Sequence, residues 1–182
     1  MFNAWHISVY YFGKLVRSGF TYFFFAVIAL IYFARLFNDQ QQVEKPYYDP
    51  NEALVSYARD LIGIPYQAGG INSAGFDCSG FTRHVYDNFK ISLPRAANSQ
   101  FNSGSIIQLS DAEKGDLVFF NEAGDPHRKA THVGIISRIT GSTVEFLHAS
   151  TAYGITTDSL TSPYFSSRFI GIRRWLHLRE TW

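Results

Sequence analysis

The sequence contains very little cysteine and almost no net charge. Cys78 is the only cysteine among 182 residues, so the chain can form neither an internal disulfide nor a metal site built from several thiolates. The 16 basic residues nearly balance the 15 acidic ones and leave a net charge of +1, which gives no basic surface of the kind that binds nucleic acid. We therefore predict no cofactor, no metal site and no nucleic-acid partner. Cys78 is either a buried core residue or a nucleophile.

Acidic residues are absent from the first 38 positions, and most of that stretch is apolar. Residues 20–37 (FTYFFFAVIALIYFARLF) contain a single charge, Arg35, and as a helix they would extend about 27 Å, close to the thickness of a bilayer core. This segment predicts one transmembrane helix that anchors the chain. A cleaved signal peptide is the main alternative, although cleavage after Ala34 would place Tyr32 where a small residue is needed.

This distribution of apolar and polar residues divides the chain into three parts. Residues 1–38 form the membrane anchor or signal segment, 39–50 a polar linker, and 51–178 one globular domain. Lys14 and Arg17 lie before the apolar segment and Arg35 at its C-terminal end, and this bias favours a globular domain outside the cytoplasmic membrane. Hydrophobic residues make up 46% of the sequence, enough for that domain to bury a packed core.

The globular domain begins with helical patterns and continues with strand patterns. A helix is predicted from its N-cap Asp49 to a stop at Gly63, and a Gly- and Asn-rich loop follows over 64–75. A second helix begins after Asp77, because apolar residues then recur every three or four positions. Helices followed by strands indicate an α+β domain, with N-terminal helices packed on a mostly antiparallel sheet. The predicted strands are 117–120, 132–136, 143–148 and 169–175.

Cys78 lies in the first turn of the second predicted helix. Unpaired N–H groups and the helix dipole at that end favour a thiolate, and Asp77 is the predicted N-cap. A nucleophilic cysteine also needs a base and a third group that orients the base. Four of the six histidines are set aside because they precede the membrane segment, lie on another face of the cysteine helix, or belong to a charged loop or the polar tail. These are His6, His84, His127 and His177.

His132 and His148 differ from the other histidines because each lies at the end of a predicted strand. The turn between these strands would make the two side chains neighbours across a hairpin. Taken alone, each histidine is also compatible with a structural role, and Cys78 with a small core residue. Cys78 is therefore the candidate nucleophile, and His132 and His148 are the candidate base and orienting group.

Seven short segments of the globular domain carry a further signal: 66–70 (YQAGG), 75–80 (GFDCSG), 93–95 (LPR), 115–120 (GDLVFF), 132–136 (HVGII), 148–150 (HAS) and 168–174 (RFIGIRR). In this order they resemble the NlpC/p60 family of papain-like cysteine peptidases, which cut peptides of the bacterial cell wall. The resemblance covers about residues 53–176, essentially the whole globular domain. The sequence departs from the family at Gln67 and Ala68, where a tryptophan often follows the tyrosine.

The resemblance implies a papain-like fold and assigns roles to six residues. It implies that Tyr66 helps to polarise the scissile carbonyl, and that Asp77 and Ser79 contact the substrate peptide near its free amine. The catalytic triad that it implies consists of Cys78, His132 and His148.

The implied reaction is hydrolysis of a peptidoglycan stem peptide between D-glutamate and a diamino acid. The catalytic domain would act on the periplasmic or cell-wall side of the membrane, to which residues 20–37 would attach it. Two alternatives use the same fold: an amidase or acyl transferase with the same residues, and a non-catalytic module that binds the wall.

Overall fold

The structure is a computed structural model that describes residues 22–36, 49–122 and 129–175. Internal contacts divide the chain into two units, Met1–Tyr47 and Tyr48–Trp182. In the first unit, residues 22–36 form helix α1, whose side chains are all exposed. No helix in the three described ranges is both long and apolar enough to cross a membrane. Residues 20, 21 and 37 of the predicted transmembrane helix and most of the predicted linker lie outside the described residues.

Two helices of the second unit begin at the predicted capping residues. Asp49 caps α2 (Pro50–Asp60), and its Oδ1 accepts a hydrogen bond from the N–H of Asn51 at 2.9 Å. Asp77 caps α3 (Cys78–Asn88) in the same way. Both predicted helix starts are confirmed.

The other elements in the described part of this unit are two helices, a 3₁₀ turn and eight strands. They are helices α4 (Ala97–Ser103) and α5 (Pro163–Ser166), the 3₁₀ turn at Leu109–Asp111, and strands β1 (Ile71–Asn72), β2 (Gly75–Phe76), β3 (Ser105–Ile107), β4 (Leu117–Phe120), β5 (His132–Thr140), β6 (Thr143–Ser150), β7 (Gly154–Ser159) and β8 (Phe169–Arg174).

Six of these strands form one sheet in the order β3-β8-β4-β5-β6-β7, and every neighbouring pair is antiparallel. The α+β architecture is therefore confirmed, and the four predicted strands correspond to β4, β5, β6 and β8. Strands β3 and β7 and helices α4 and α5 are additions to the prediction.

The prediction of an irregular loop over 64–75 is partly wrong, because β1 and β2 form a small hairpin at its end. Ile71 pairs with Phe76 across the hairpin, and Phe76 is fully buried. Strands of two residues are too short to show a period-2 pattern in the sequence, which is why they escape prediction. Tyr66 forms a β-bridge with Phe76, so the hairpin holds Tyr66 close to the start of α3.

Successive residues of the central strands enter two different hydrophobic cores, because side chains alternate between the faces of a sheet. On one face, Val133 and Leu147 pack in one core with residues of α2 and α3. On the other face, Phe120 and Phe146 pack with Phe165 of α5. The start of β5 lies between these cores, and the candidate site residues lie close to it.

Candidate active site

Cys78 is the first residue of α3 and lies beside the start of β5. The Asp77 carboxylate accepts a hydrogen bond from the N–H of Gly80 at 2.7 Å and so fixes the first turn of the helix. A side chain at Gly80 is excluded, because its Cβ would lie 2.0 Å from the carbonyl oxygen of Gly70. The Sγ atom of Cys78 lies 4.0 Å from the carbonyl oxygen of Thr131, the residue before β5. The start of the helix and the start of the strand therefore meet at the thiol.

Arg95 holds the residues on either side of the cysteine, a role that the sequence does not predict. Its guanidinium donates hydrogen bonds to Asp77 Oδ1 at 3.0 Å, to Asp77 Oδ2 at 2.5 Å and to Ser79 Oγ at 3.0 Å. Burial alone would raise the pKa of Asp77, but the hydrogen bonds from Arg95 and from the N–H of Gly80 outweigh it and lower the pKa. The signal that could have indicated Arg95 is its place in the segment 93–95, which the family shares.

His132 and His148 are hydrogen-bonded neighbours on adjacent strands. The distance from His132 Nε2 to His148 Nδ1 is 2.9 Å, and the ring planes are nearly perpendicular at 85°. Gly134 of β5 makes this approach possible, because a Cβ there would lie 2.7 Å from the Phe146 ring and 3.3 Å from the Cβ of His148. The structure therefore brings together the two histidines that the hairpin argument pairs.

Asp158 of β7 extends the hydrogen-bonded pair of His132 and His148 to a row of three polar side chains. The sequence-based prediction does not include Asp158. Its Oδ2 lies 2.8 Å from Nε2 of His148, the ring nitrogen that faces away from His132. The sequence carries no clear signal for this contact, because the segment 154–159 (GITTDS) has too few apolar residues to indicate a strand.

Aromatic side chains surround the two histidines and determine their charge. The ring centroid of Phe165 lies 5.3 Å from that of His148 and 6.4 Å from that of His132. Burial lowers the pKa of His132 to about 3, and the neighbouring His148 adds to this effect. Burial also lowers the pKa of His148, although its hydrogen bond to Asp158 opposes the change. Both imidazoles are therefore neutral at pH 7.

The resting thiol does not have the depressed pKa that its helix position suggests. Burial raises the pKa of Cys78, and the negative charge of Asp77 raises it further. Backbone N–H groups of Val133, Ser79 and Cys78 itself lower the pKa without reversing the direction. The predicted preference for a thiolate is therefore wrong for the resting site, which contains a neutral thiol and neutral imidazoles.

Four of the six predicted site residues line one cavity of about 700 Å³: Tyr66, Cys78, His132 and His148. Burial raises the pKa of Tyr66, and the nearby Cys78 and Asp77 raise it further, so its hydroxyl stays protonated and can donate a hydrogen bond. Asp77 and Ser79 do not line this cavity, and their predicted contact with substrate stays a prediction. A second cavity, of about 820 Å³, lies along β3 and β8 and is lined by neither cysteine nor histidine.

The other histidines take no part in this site as far as the structure describes them. His84 of α3 is hydrogen-bonded through Nε2 to the hydroxyl of Tyr57 at 3.0 Å, on the side of the helix that faces α2. His6, His127 and His177 lie outside the described residues.

A cysteine at a helix start, with a histidine pair on the adjoining sheet, is the arrangement of a cysteine peptidase. The profile of the NlpC/P60 family matches residues 63–174, and the chain belongs to that family. Its α+β fold is also that of a solved NlpC/P60 family protein from Bacillus cereus, with a TM-score of 0.63 and 28% identity over 70% of this chain and 41% of that one.

Several curated relatives are named as peptidases. A "Probable endopeptidase" of Haemophilus influenzae is 39% identical over 66% of this chain and 72% of the relative. The "Murein DD-endopeptidase MepS/Murein LD-carboxypeptidase" of Escherichia coli K12 is 35% identical over 69% of this chain and 63% of the relative. The "Gamma-D-glutamyl-L-lysine dipeptidyl-peptidase" of Bacillus cereus is 30% identical over 68% of this chain and 36% of the relative. The chain therefore spans less than two thirds of the last two.

Proposed function

We propose that the domain is an endopeptidase that hydrolyses the stem peptides of peptidoglycan through Cys78, His132 and His148. The observation that carries this proposal is the cavity in which the thiol and the hydrogen-bonded histidine pair lie together. The names of the relatives support the substrate class, because murein is peptidoglycan and γ-D-glutamyl bonds occur in its stem peptides.

Proton transfer from Cys78 to His132 begins the proposed reaction. Nε2 of His132 is engaged with His148, so Nδ1 is the ring nitrogen that can accept the proton. Because both partners are neutral at rest, the S–H bond breaks as the C–S bond to the peptide carbonyl forms, and no stable thiolate precedes the attack. The resulting oxyanion accepts hydrogen bonds from the N–H of Cys78 and the hydroxyl of Tyr66.

The second half of the reaction returns the proton and releases the acyl group. The tetrahedral intermediate collapses, the C–N bond breaks, and the leaving amine takes its proton from Nδ1 of His132. Water then attacks the thioester with His132 again as the base, and the S–C bond breaks to restore the thiol. His148 holds the His132 ring in one orientation throughout.

Replacement of the nucleophile tests this mechanism. In the full chain, Cys78→Ala should lower the rate of muropeptide hydrolysis by about 10³-fold or more, because no other group can form the acyl intermediate. Asp87→Asn is the matched control, because Asp87 lies on the same helix and its side chain is exposed and paired with Arg83. Hydrolysis by the Cys78→Ala protein at the wild-type rate would overturn the proposal.

The bond that we propose for cleavage joins D-glutamate to the diamino acid of the stem. The names of the two relatives differ on this point, since one describes a DD-endopeptidase and the other a γ-D-glutamyl-L-lysine dipeptidyl-peptidase. Mass spectrometry of the products from a defined disaccharide-tetrapeptide and from a cross-linked dimer separates these activities. A split after D-glutamate supports the proposal, cleavage of the cross-link alone supports the DD specificity, and release of an intact stem indicates an amidase.

We also propose that the catalytic domain works outside the cytoplasmic membrane, where peptidoglycan lies. The exposed apolar side chains of α1 support attachment of the chain to that membrane. Cell fractionation of the full chain and of a version lacking 1–38 tests this proposal. The full chain should sediment with membranes and resist an alkaline wash, and recovery of the intact full chain in the washed supernatant would contradict attachment.

A further inference from the structure

We propose that Asp158 is a positioning residue that fixes the tautomers of both histidines, so that His132 keeps one unprotonated ring nitrogen ready for the thiol proton. This inference rests on the proposed function, in which His132 is the base for Cys78. The inference adds the Asp158 carboxylate, as a fourth group, to the Cys78 thiol and the imidazoles of His132 and His148.

The geometry of β6 and β7 places Asp158 on the same side of the sheet as His148. Phe146 is the direct cross-strand partner of Asp158, and Thr156 that of His148, so Asp158 and His148 are diagonal neighbours. The His148 side chain is only 4% exposed, whereas that of Asp158 is 43% exposed. The carboxylate thus joins a buried imidazole to the solvated edge of the cavity.

The hydrogen-bonding capacity of each group determines the position of every proton in the row. An ionised carboxylate only accepts, so Nε2 of His148 must carry a hydrogen and donate it to Asp158. Neutral His148 then has only Nδ1 as an acceptor, and the 2.9 Å contact requires that Nε2 of His132 donate to it. Neutral His132 is left with an unprotonated Nδ1. The tautomer of the base is therefore set two hydrogen bonds away, at Asp158.

In the described ranges 22–36, 49–122 and 129–175, the hydrogen bonds of the His148 ring go to His132 and to Asp158. Phe146 and Phe165 contact the His148 ring, with centroid distances of 5.3 Å for each. Arg168 also lines the cavity, but its guanidinium donates a hydrogen bond to the carbonyl oxygen of Tyr164 at 2.9 Å and stacks on the Tyr164 ring. Asp158 is thus the one side chain on Nε2 of His148 in that part of the chain.

The same carboxylate stabilises the charge that appears during turnover. When His132 takes the thiol proton it becomes an imidazolium in an apolar surrounding, which is unfavourable without a nearby negative charge. The Asp158 carboxylate, hydrogen-bonded to His148, offsets this charge through the His148 ring. No covalent bond changes at Asp158.

Histidine tautomers can be measured directly, independently of peptide hydrolysis. Long-range ¹H–¹⁵N correlation spectra of the full chain, labelled on histidine and recorded in a mild detergent at pH 7, distinguish a protonated Nδ1 from a protonated Nε2. The missing signals in His132→Gln and His148→Gln assign the two rings. We expect both rings in the Nε2–H form in the wild type and in the control variant Asp87→Asn. The side chain of Asp87 is 46% exposed, close to the 43% of Asp158, but it pairs with Arg83 rather than with a histidine.

Asp158→Ala and Asp158→Asn are the test variants, and the second keeps the shape of the side chain if the first fails to fold. Either variant should convert the two rings to a mixture of tautomers, and kcat should fall about 10²- to 10⁴-fold while KM changes less than about threefold. Rings that keep the Nε2–H form in both variants, or an Nδ1–H form in the wild type, would overturn the inference. If the tautomers behave as expected but the wild type cleaves no muropeptide, the proposed function fails and the assignment of Asp158 stands.

Discussion

Replacing His132 by glutamine should make the stability of the folded domain less sensitive to acid. His132 lies in an aromatic surrounding that lowers its pKa to about 3. An unfolded histidine has a pKa of about 6.5. The unfolded chain therefore binds more protons than the folded chain between these values, so the contribution of this group to stability is present above about pH 6.5 and is lost as the pH falls toward 3.

The size of the effect follows from these two pKa values. Keeping His132 neutral costs about 0.2 kcal/mol of unfolding free energy at pH 7 and about 2 kcal/mol at pH 5. The wild type should thus lose close to 2 kcal/mol through this residue between the two pH values. Glutamine does not titrate, is of similar length and can still bond to His148, so the His132→Gln variant should lose correspondingly less.

Urea unfolding followed by tryptophan fluorescence measures this difference. The quantity of interest is the change in unfolding free energy from pH 7 to pH 5 in each protein, because effects of the substitution that do not depend on pH cancel. His84→Gln is the matched control: this histidine is hydrogen-bonded to Tyr57 outside the cavity, and the contribution of His132 remains in place. Equal losses in wild type and His132→Gln, within about 0.5 kcal/mol, would show that His132 is not held neutral by burial.

Three further predictions concern the thiol, a buried ion pair and a glycine. The rate of alkylation of Cys78 by iodoacetamide should rise continuously from pH 6 to pH 10, because burial raises the pKa of this thiol. A rate that is already maximal at pH 6 would contradict a neutral Cys78 thiol beside a neutral His132. Arg174→Ala should cost about 3–5 kcal/mol in urea unfolding, because it leaves the carboxylate of Asp116, whose side chain is 3% exposed, without its positively charged partner. Arg138→Ala in an exposed pair should change stability little, and similar losses in both variants would refute the distinction. Gly80→Ala should lower both the melting temperature and the yield of folded protein, since its methyl carbon would lie 2.0 Å from a backbone carbonyl oxygen, and an unchanged melting temperature would be inconsistent with that contact.

Local sequence signals predict the helix that begins at Cys78 and the strands that carry the two candidate histidines. Asp77 and the apolar spacing after it define α3, and the alternation in 132–136 and 143–148 defines the paired strands. Each of these signals is complete within about ten residues. They are sufficient to bring Cys78, His132 and His148 to one place once the family resemblance supplies the packing.

Local sequence patterns do not predict Asp158, Phe165 or the pKa of Cys78, because each depends on contacts with elements that are distant in the sequence. Asp158 lies on β7, whose pairing with β6 no alternation in the sequence indicates. The pKa of Cys78 reflects burial, whereas a helix start alone favours a thiolate. Phe165, which contacts both histidines, belongs to a helix of four residues, too short for helical periodicity to reveal.

Burial of this site has two consequences that act together. The surrounding aromatic rings keep His132 unprotonated well below pH 6.5, so the base stays available in acid. The same burial keeps Cys78 as a thiol, and oxidants and alkylating agents react with the thiolate. On the wall side of the membrane, where we propose that the domain works, free thiols meet oxidising conditions. In the proposed reaction, the cysteine ionises only as it attacks a bound peptide, so the resting thiol is protected there. The row of His132, His148 and Asp158 would supply its base at the moment of attack.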